Sequence, residues 1–355
     1  MSKFELLIFF VLFFSIKNEK RVCRNQNGDE VDWFLIFLIP LKVTENKLSY
    51  YYIDNKKNEL KFFEHSDDTF PPNTLTRYAL SNETDFNYFF WNDDNKTKNM
   101  SEIDENASYS TNYAHSKGGI VYDNETGAIL IHSLPRYPTR DTENNLYIEM
   151  PNNTGVYAQT FFCISATKNT SEKVIELLNY IGVSNNKCVG KDRVNYKPNQ
   201  WVERLIQNDY DYDDYPLFLE TYISSLNGKK INVISKSKKR NITPFDDDIN
   251  LFYKDDFYVR TWAKPSLAEP ICSTYKILNV INITIGDYEL NKNQEHSKWA
   301  VSVNLNIACI SDLNHVESQA KRGGNIFCFK DKNISDLMKN FVKIHDVCNK
   351  DIIGY

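Results

Sequence analysis

The sequence predicts a mixed α+β fold, a pseudodimer of two similar halves in which each half is a β-sheet flanked by helices. Three features predict it. The tripeptide His115-Ser116-Lys117 returns as His296-Ser297-Lys298, 181 residues later, about half the chain, as a duplicated unit would produce. Residues 31–39 (VDWFLIFLI) form a near-continuous apolar run closed by Pro40, the pattern of a strand buried on both faces. Residues 171–181 (SEKVIELLNYI) set Val174, Leu177, Leu178 and Ile181 on one helical face, with Ser171 as candidate N-cap.

Taken in order, the elements begin with a leader. Residues 1–16 (MSKFELLIFFVLFFSI) join Lys3 to an apolar run broken only by Glu5, which reads as a secretory signal peptide cleaved between Ser15 and Arg21. The run is too short to cross a bilayer comfortably. The expected organisation is a signal over 1–20, a first half over 21–190 and a second half over 191–355. After the strand at 31–39, residues 50–53 continue the strand-like pattern. Residues 67–110 are polar and rich in Asn and Asp, as expected of mostly exposed loop. Residues 119–122 and 128–132 read as a hairpin turning through 123–127. Residues 208–215 and 245–256 are acidic and aromatic and read as solvated loops, since they lack the ligand and glycine spacing of a calcium loop.

Composition narrows the class. With 41% hydrophobic, 14% aromatic and 25% charged residues in 355, the chain is neither disordered nor a fibre nor a small disulfide-stapled peptide. A chain this long buries roughly three quarters of the surface its unfolded form exposes. The net charge of −5 gives no basic nucleic-acid footprint near neutral pH, although protonating the six histidines would bring it to +1. A polyanion is therefore held better in acid. Ten N-x-S/T sequons fit a secreted or lysosomal destination: Asn82, Asn95, Asn99, Asn106, Asn124, Asn152, Asn169, Asn241, Asn282 and Asn333. Seven cysteines suggest three disulfides with one thiol left over, and no CxxC unit points to zinc.

The repeat carries the chemistry. Residues i and i+2 of an extended chain point to one face, so His115 converges with Lys117 and His296 with Lys298. A pseudo-twofold axis would join the pairs in one pocket. The lysines would neutralise phosphate oxygens while one imidazole attacks phosphorus and the other protonates the leaving oxygen. Such a phosphodiester-cleaving site needs no metal and no cofactor. Two satisfied surface histidines are the bland alternative.

A family resemblance sharpens this. The order Cys23, Gly28-x-x-Val31-Asp32-Trp33-Phe34, then His115-Ser116-Lys117-Gly118 resembles deoxyribonuclease II. So do Ile131-His132-Ser133-Leu134-Pro135-Arg136-Tyr137-Pro138 and Gln159-Thr160-Phe161-Phe162-Cys163. The last blocks are His296-Ser297-Lys298-Trp299, Cys309-Ile310-Ser311-Asp312-Leu313-Asn314 and Arg322-Gly323-Gly324-x-x-x-Cys328. The resemblance covers nearly the whole chain after the leader. It implies a phospholipase D-like pseudodimer acting as an acid endonuclease on double-stranded DNA, without divalent metal and leaving 3′-phosphate ends. It also implies the pairs Cys23–Cys163, Cys272–Cys348 and Cys309–Cys328, with Cys188 unassigned. By the same analogy His115 is the nucleophile, forming a phosphohistidine, and His296 the acid; the near-symmetry of the repeat leaves the exchange open.

Departures are the Ala114-His115-Ser116-Lys117 form of the first motif, Ala300 where cysteine is usual, and His315 after Asn314. Asn-rich loops and many sequons also suit a diverged secreted effector or DNA-binding relative with little turnover, and the fold class includes lipid phosphodiesterases. His132 reads as a partner of the nucleophile, with a core histidine as alternative. Asp312 and Asn314 read as orienting His296 and Lys298, or as strand-end caps. Arg322 faces DNA phosphate, or closes a tight turn within the Cys309–Cys328 loop. His65, His315 and His345 match no motif and are expected at the surface. After loss of the leader no stable membrane association is expected, and the oligomeric state stays open.

Overall fold

A computed structural model describes residues 19–44, 49–64, 70–72, 75, 86–93, 113–135, 137, 139–140, 146–147, 156–183, 200–207, 216–243, 245–246, 249–264 and 266–348. The leader, Cys188, His65, residues 208–215 and the sequons at Asn82, Asn95, Asn99, Asn106 and Asn152 lie outside them. No helix among the described residues is long and apolar enough to cross a membrane.

Two large sheets and a few helices make up the fold. The first sheet contains β1 (Trp33–Ile39), β2 (Ser49–Asp54), β3 (Lys61–Glu64), β4 (Asn87–Trp91), β5 (Gly118–Tyr122) and β6 (Thr126–His132). A separate pair follows, β7 (Thr139–Arg140) with β8 (Leu146–Tyr147), and then β9 (Gln159–Thr167), the centre of the first sheet. Its order is β3-β2-β1-β9-β6-β5-β4, and its pairings are antiparallel. Helices α1 (Lys168–Ile181) and α2 (Gln200–Gln207) lead to β10 (Phe218–Ser224), β11 (Lys230–Lys236), α3 (Ile249–Tyr253), β12 (Phe257–Arg260), β13 (Ile271–Cys272), β14 (Lys276–Ile285) and β15 (Tyr288–Asn291). The chain ends through β16 (Trp299–Ser302), β17 (Ile307–Ser311), β18 (Gly324–Lys330), α4 (Lys332–Phe341) and β19 (Val342–His345). The second sheet runs β10-β11-β18-β17-β16-β12-β14-β13, with β15 and β19 also on β14.

Strand periodicity explains the packing. Along β1, Trp33, Leu35, Phe37 and Ile39 face one core while Phe34, Ile36 and Leu38 face another, which is why a continuous apolar run is needed. The first of these cores is shared. Phe327 and Phe329 of β18 enter it, as do Leu177, Leu178 and Ile181 of α1 and Ile334 and Met338 of α4. Each sheet has a second core on its other face, and each of those contains a disulfide, Cys23–Cys163 in one and Cys309–Cys328 in the other.

The two sheets repeat one ladder. Gly118 pairs with Trp91 and Ile131, and Ile131 with Phe162; Trp299 pairs with Arg260 and Ile310, and Ile310 with Phe327. In both, a helix follows the central strand.

The hairpin and the helix form as the sequence indicates, with one change at the helix start. Its N-cap is Thr167, whose side chain accepts from the Thr170 amide, while Ser171 lies buried inside the first turn. Two expected loops are partly structured. Within 67–110 the apolar Phe89, Phe90 and Trp91 form β4, because their alternation lets them fill both faces of the sheet edge. Within 245–256 the residues Phe245, Ile249 and Asn250 are fully buried around α3; polar neighbours concealed the burial. His315 is likewise fully buried, its Nδ1 2.6 Å from Asn279 Oδ1 and its Nε2 3.5 Å from Asp246, whereas His345 is half-buried.

The three disulfides are Cys23–Cys163, Cys272–Cys348 and Cys309–Cys328. Cys272–Cys348 closes a separation of 76 residues and Cys309–Cys328 one of 19. Replacing Cys272 and Cys348 together by alanine should cost about 4 kcal/mol by chain entropy, against about 3 kcal/mol for Cys309 and Cys328. Urea unfolding of the two variants checks both the loss and its order.

Candidate active site

Both His-x-Lys motifs lie in segments without regular secondary structure that lead into β5 and β16, not within the strands themselves. The opposite sheet pins each histidine through its amide. His115 donates to the Gly323 carbonyl at 3.0 Å and His296 to the Ala158 carbonyl at 2.8 Å. Gly323 and Ala158 occupy the same place, directly before central strands β18 and β9. Glycine at 323 is required by close approach, since a Cβ would meet the Ile181 carbonyl oxygen at 2.2 Å. The Lys117 and Lys298 carbonyls accept from the His132 and Ser311 amides at 3.2 and 2.9 Å. The motifs are thus held by backbone bonds that repeat around the centre.

The side chains gather in a buried cluster. Lys117 and Lys298 are 4% and 3% exposed and His132 is 4% exposed, and the two lysine charges bear on each other and on all three histidines. Asp93, just past β4, pairs with Lys117, accepts from Arg322 Nη2 at 2.9 Å and lies 3.7 Å from His115 Nε2. Sequence reading missed this carboxylate because it sits in an Asn/Asp-rich stretch with no motif around it; its position two residues after the aromatic β4 was the available signal. Arg322 also donates to the carbonyls of Tyr113 and Ala114 at 3.1 and 3.0 Å, so its guanidinium braces the chain ahead of His115.

The remaining residues differ in reach. The Asp312 carbonyl lies 2.8 Å from His115 Nδ1. A carbonyl only accepts, so Nδ1 carries the proton and the lone pair is on Nε2. The Asp312 carboxylate accepts from the Asn325 amide. Asn314 accepts from the Trp262 amide at 3.3 Å, and Trp262 in turn lies against His296. His296 lies against the Tyr157 ring at 4.3 Å with planes 5° apart, and against Trp262 at 4.2 Å and 56°. His132 is packed by Tyr137 and Phe161. Of the described sequons, Asn124, Asn169, Asn241 and Asn333 are exposed and Asn282 is half-buried.

Burial and mutual charge move the protonation equilibria. Burial, then Lys117, holds His115 well below its usual value. The same causes lower His132 to about 3, and burial with Lys298 lowers His296 to about 2. Burial and Lys117 bring Lys298 down to about 7, and burial pushes Asp312 up to about 7. Burial alone would raise Asp93, but Lys117, His115 and Arg322 outweigh it and hold the carboxyl ionised.

Two half-buried imidazoles and two buried ammonium groups, with one carboxylate in support, could hold and cleave an anionic oxygen ester, the chemistry of a phosphodiester hydrolase. The comparisons agree. The deoxyribonuclease II family model matches residues 22–348, and the chain belongs to that family. It is 26% identical to cell-death-related nuclease 7 of Caenorhabditis elegans over 94% of this chain and 91% of that one. It is 28% identical to deoxyribonuclease-2-beta of Mus musculus (92% and 93%) and 26% identical to deoxyribonuclease-2 of C. elegans (92% and 94%). The protein is a deoxyribonuclease II-type enzyme.

Two outcomes follow from the cluster. Replacing Asp93 by Asn leaves the Lys117 and Arg322 charges buried without their partner and should cost about 3 to 5 kcal/mol, measured by chemical denaturation. The second concerns pH. The three histidines have lowered folded-state values, so below about pH 6.5 the unfolded chain takes up protons first and stability falls with acidification. Asp312 and Asp346, with values raised chiefly by burial, oppose this above about pH 3.8 but are two groups against three. The Tm of the empty protein should drop from pH 6.5 to 5. Inorganic phosphate, by favouring the protonated imidazoles, should raise it more at pH 5 than at pH 7.5 in calorimetry.

Proposed function

We propose that this enzyme is a secreted or lysosomal acid endonuclease that cleaves double-stranded DNA to 3′-phosphate ends through a phosphohistidine, in a phospholipase D-like pseudodimer whose halves divide near residue 190. The observation that carries the reading is the reciprocal placement of the two motifs, each histidine amide bonded to the residue before the other sheet's central strand. The repeated ladder supports the duplication.

In the proposed reaction His115 Nε2 attacks phosphorus in line with the 5′-oxygen. Its Nδ1–H donates to the Asp312 carbonyl, which keeps the lone pair on the attacking atom. As the P–O5′ bond breaks, His296 gives its proton to the departing oxygen. Water then loses a proton to His296 and attacks the phosphohistidine; the P–N bond breaks and His115 returns to its starting form. Lys117 and Lys298 neutralise the non-bridging oxygens throughout, and Asp93 balances the charge that develops on His115. His132, stacked within the cluster, supports the nucleophile side.

The same electrostatics favour acid. In the empty site His296 is neutral, and a phosphodiester anion raises its affinity for a proton. Lower pH also lifts the net charge of −5 at pH 7 toward positive, which favours DNA capture. Among the described residues no group of three or more His, Cys, Asp or Glu side chains gathers in metal-ligating proximity; the proposed chemistry relies on imidazole and ammonium groups instead.

Plasmid cleavage should peak between about pH 4.5 and 6 and persist in excess EDTA. Loss on chelation with recovery in magnesium would refute the mechanism. His296→Ala should lose about 10²- to 10⁴-fold on DNA but less on a nitrophenyl phosphodiester, whose leaving group needs no proton. His115→Ala should abolish activity on both, and a reversed pattern would exchange the two roles.

A further inference from the structure

The repeated ladder allows position-by-position comparison of the two histidine environments. Trp91 and Arg260 face Gly118 and Trp299, so two residues further on Asp93 and Trp262 occupy equivalent places. Phe162 and Phe327 face Ile131 and Ile310, so five residues earlier Tyr157 and Arg322 are equivalent. The positions that give His115 a carboxylate and a guanidinium therefore give His296 two aromatic rings.

The consequence is a difference in how each imidazole is held. His115 is fixed by a hydrogen bond that commits Nδ1 to the Asp312 carbonyl. Among the described residues no side-chain hydrogen bond fixes His296, and its Nε2 is buried without a partner. Its plane is set by Tyr157 lying flat on one side and Trp262 tilted against it, the two rings themselves 6.5 Å apart. Stacking fixes the ring while leaving both nitrogens open, and aromatic faces favour a cation lying against them. Backbone bonds anchor both rings: Ala158, next to Tyr157, bonds Gln294 and His296, and the Trp262 amide donates to Asn314. The charged groups that face His296 are Lys298, Lys117 and Lys264, the last on the solvent side of Tyr157. All three oppose its protonation, so the rings are the protein's counterweight to them.

We propose that Tyr157 and Trp262 are positioning residues that clamp His296 as the proton donor to the leaving oxygen. This rests on the nuclease reading above and deepens it. The test compares Tyr157→Leu, Trp262→Leu and Tyr157→Phe on duplex DNA and on a nitrophenyl phosphodiester. The leucine variants should lose about 10- to 100-fold in kcat on DNA with KM within about threefold. Their alkaline limb should move down by about half to one pH unit. They should lose far less on the nitrophenyl ester, and Tyr157→Phe should restore wild-type behaviour.

A raised KM with kcat kept would instead make the rings a base-stacking surface, and that outcome overturns the clamp. So does equal loss on both substrates, or an unmoved alkaline limb. Should the leucine variants fail to fold, Trp262→Phe should give an intermediate loss and shift, and an unchanged profile refutes the proposal. The His296 imidazole resonance, titrated in the full chain with inorganic phosphate, gives a reading without turnover. Its pKa should fall in the leucine variants, and no fall counts against the clamp. Failure of the wild-type chain to cleave DNA at pH 5 would strike the nuclease reading, while this titration still decides the clamp.

Discussion

Burying cations demands a counter-charge, and in this protein Asp93 meets that demand. Its carboxylate touches Lys117 and Arg322 and lies beside the His115 imidazole, in a place where solvation cannot replace a missing partner. Arg322 comes from the second sheet's approach to β18, Lys117 from the first sheet's approach to β5. One carboxylate therefore ties together chain segments more than two hundred residues apart, and the centre can be both buried and positively charged because of it.

Backbone geometry supplies the second constraint. Each histidine amide is bonded across the molecule, and the C-terminal end of α1 takes part: Gly182 adopts φ 74 as the helix cap and its carbonyl accepts from the Ala114 amide. The shared apolar core holds the sheets in the register this requires. Helix packing, strand order and the position of the reacting groups are thus one problem with one solution, in which a shift of either sheet would separate the motifs.

The symmetry of the scaffold is broken around the two histidines. His132 and Ser311 stand at equivalent ladder positions, as do Asp93 with Trp262 and Arg322 with Tyr157. His115 is surrounded by charge and has a fixed tautomer, with Asp93 from the first sheet's side and Arg322 and Asp312 from the second's. His296 is surrounded by rings, Tyr157 from the first sheet's side and Trp262 from the second's.

The sequence by itself determined a strand within 31–39, which forms from Trp33 to Ile39, the 123–127 hairpin, the helix and the tripeptides at His115 and His296, because local periodicity and a repeated motif are written in consecutive residues. Its family resemblance also determined the three cysteine pairs. Tertiary structure alone decided that Asp93 joins the centre, that Arg322 braces the chain ahead of His115, and that His315 is buried with Asn279. It also decided that the polar 67–110 stretch carries β4. These contacts join residues distant in sequence whose types are common in exposed loops. Only the stacking of two sheets on one core removes the water that would otherwise satisfy them, and burial then makes each partner obligatory.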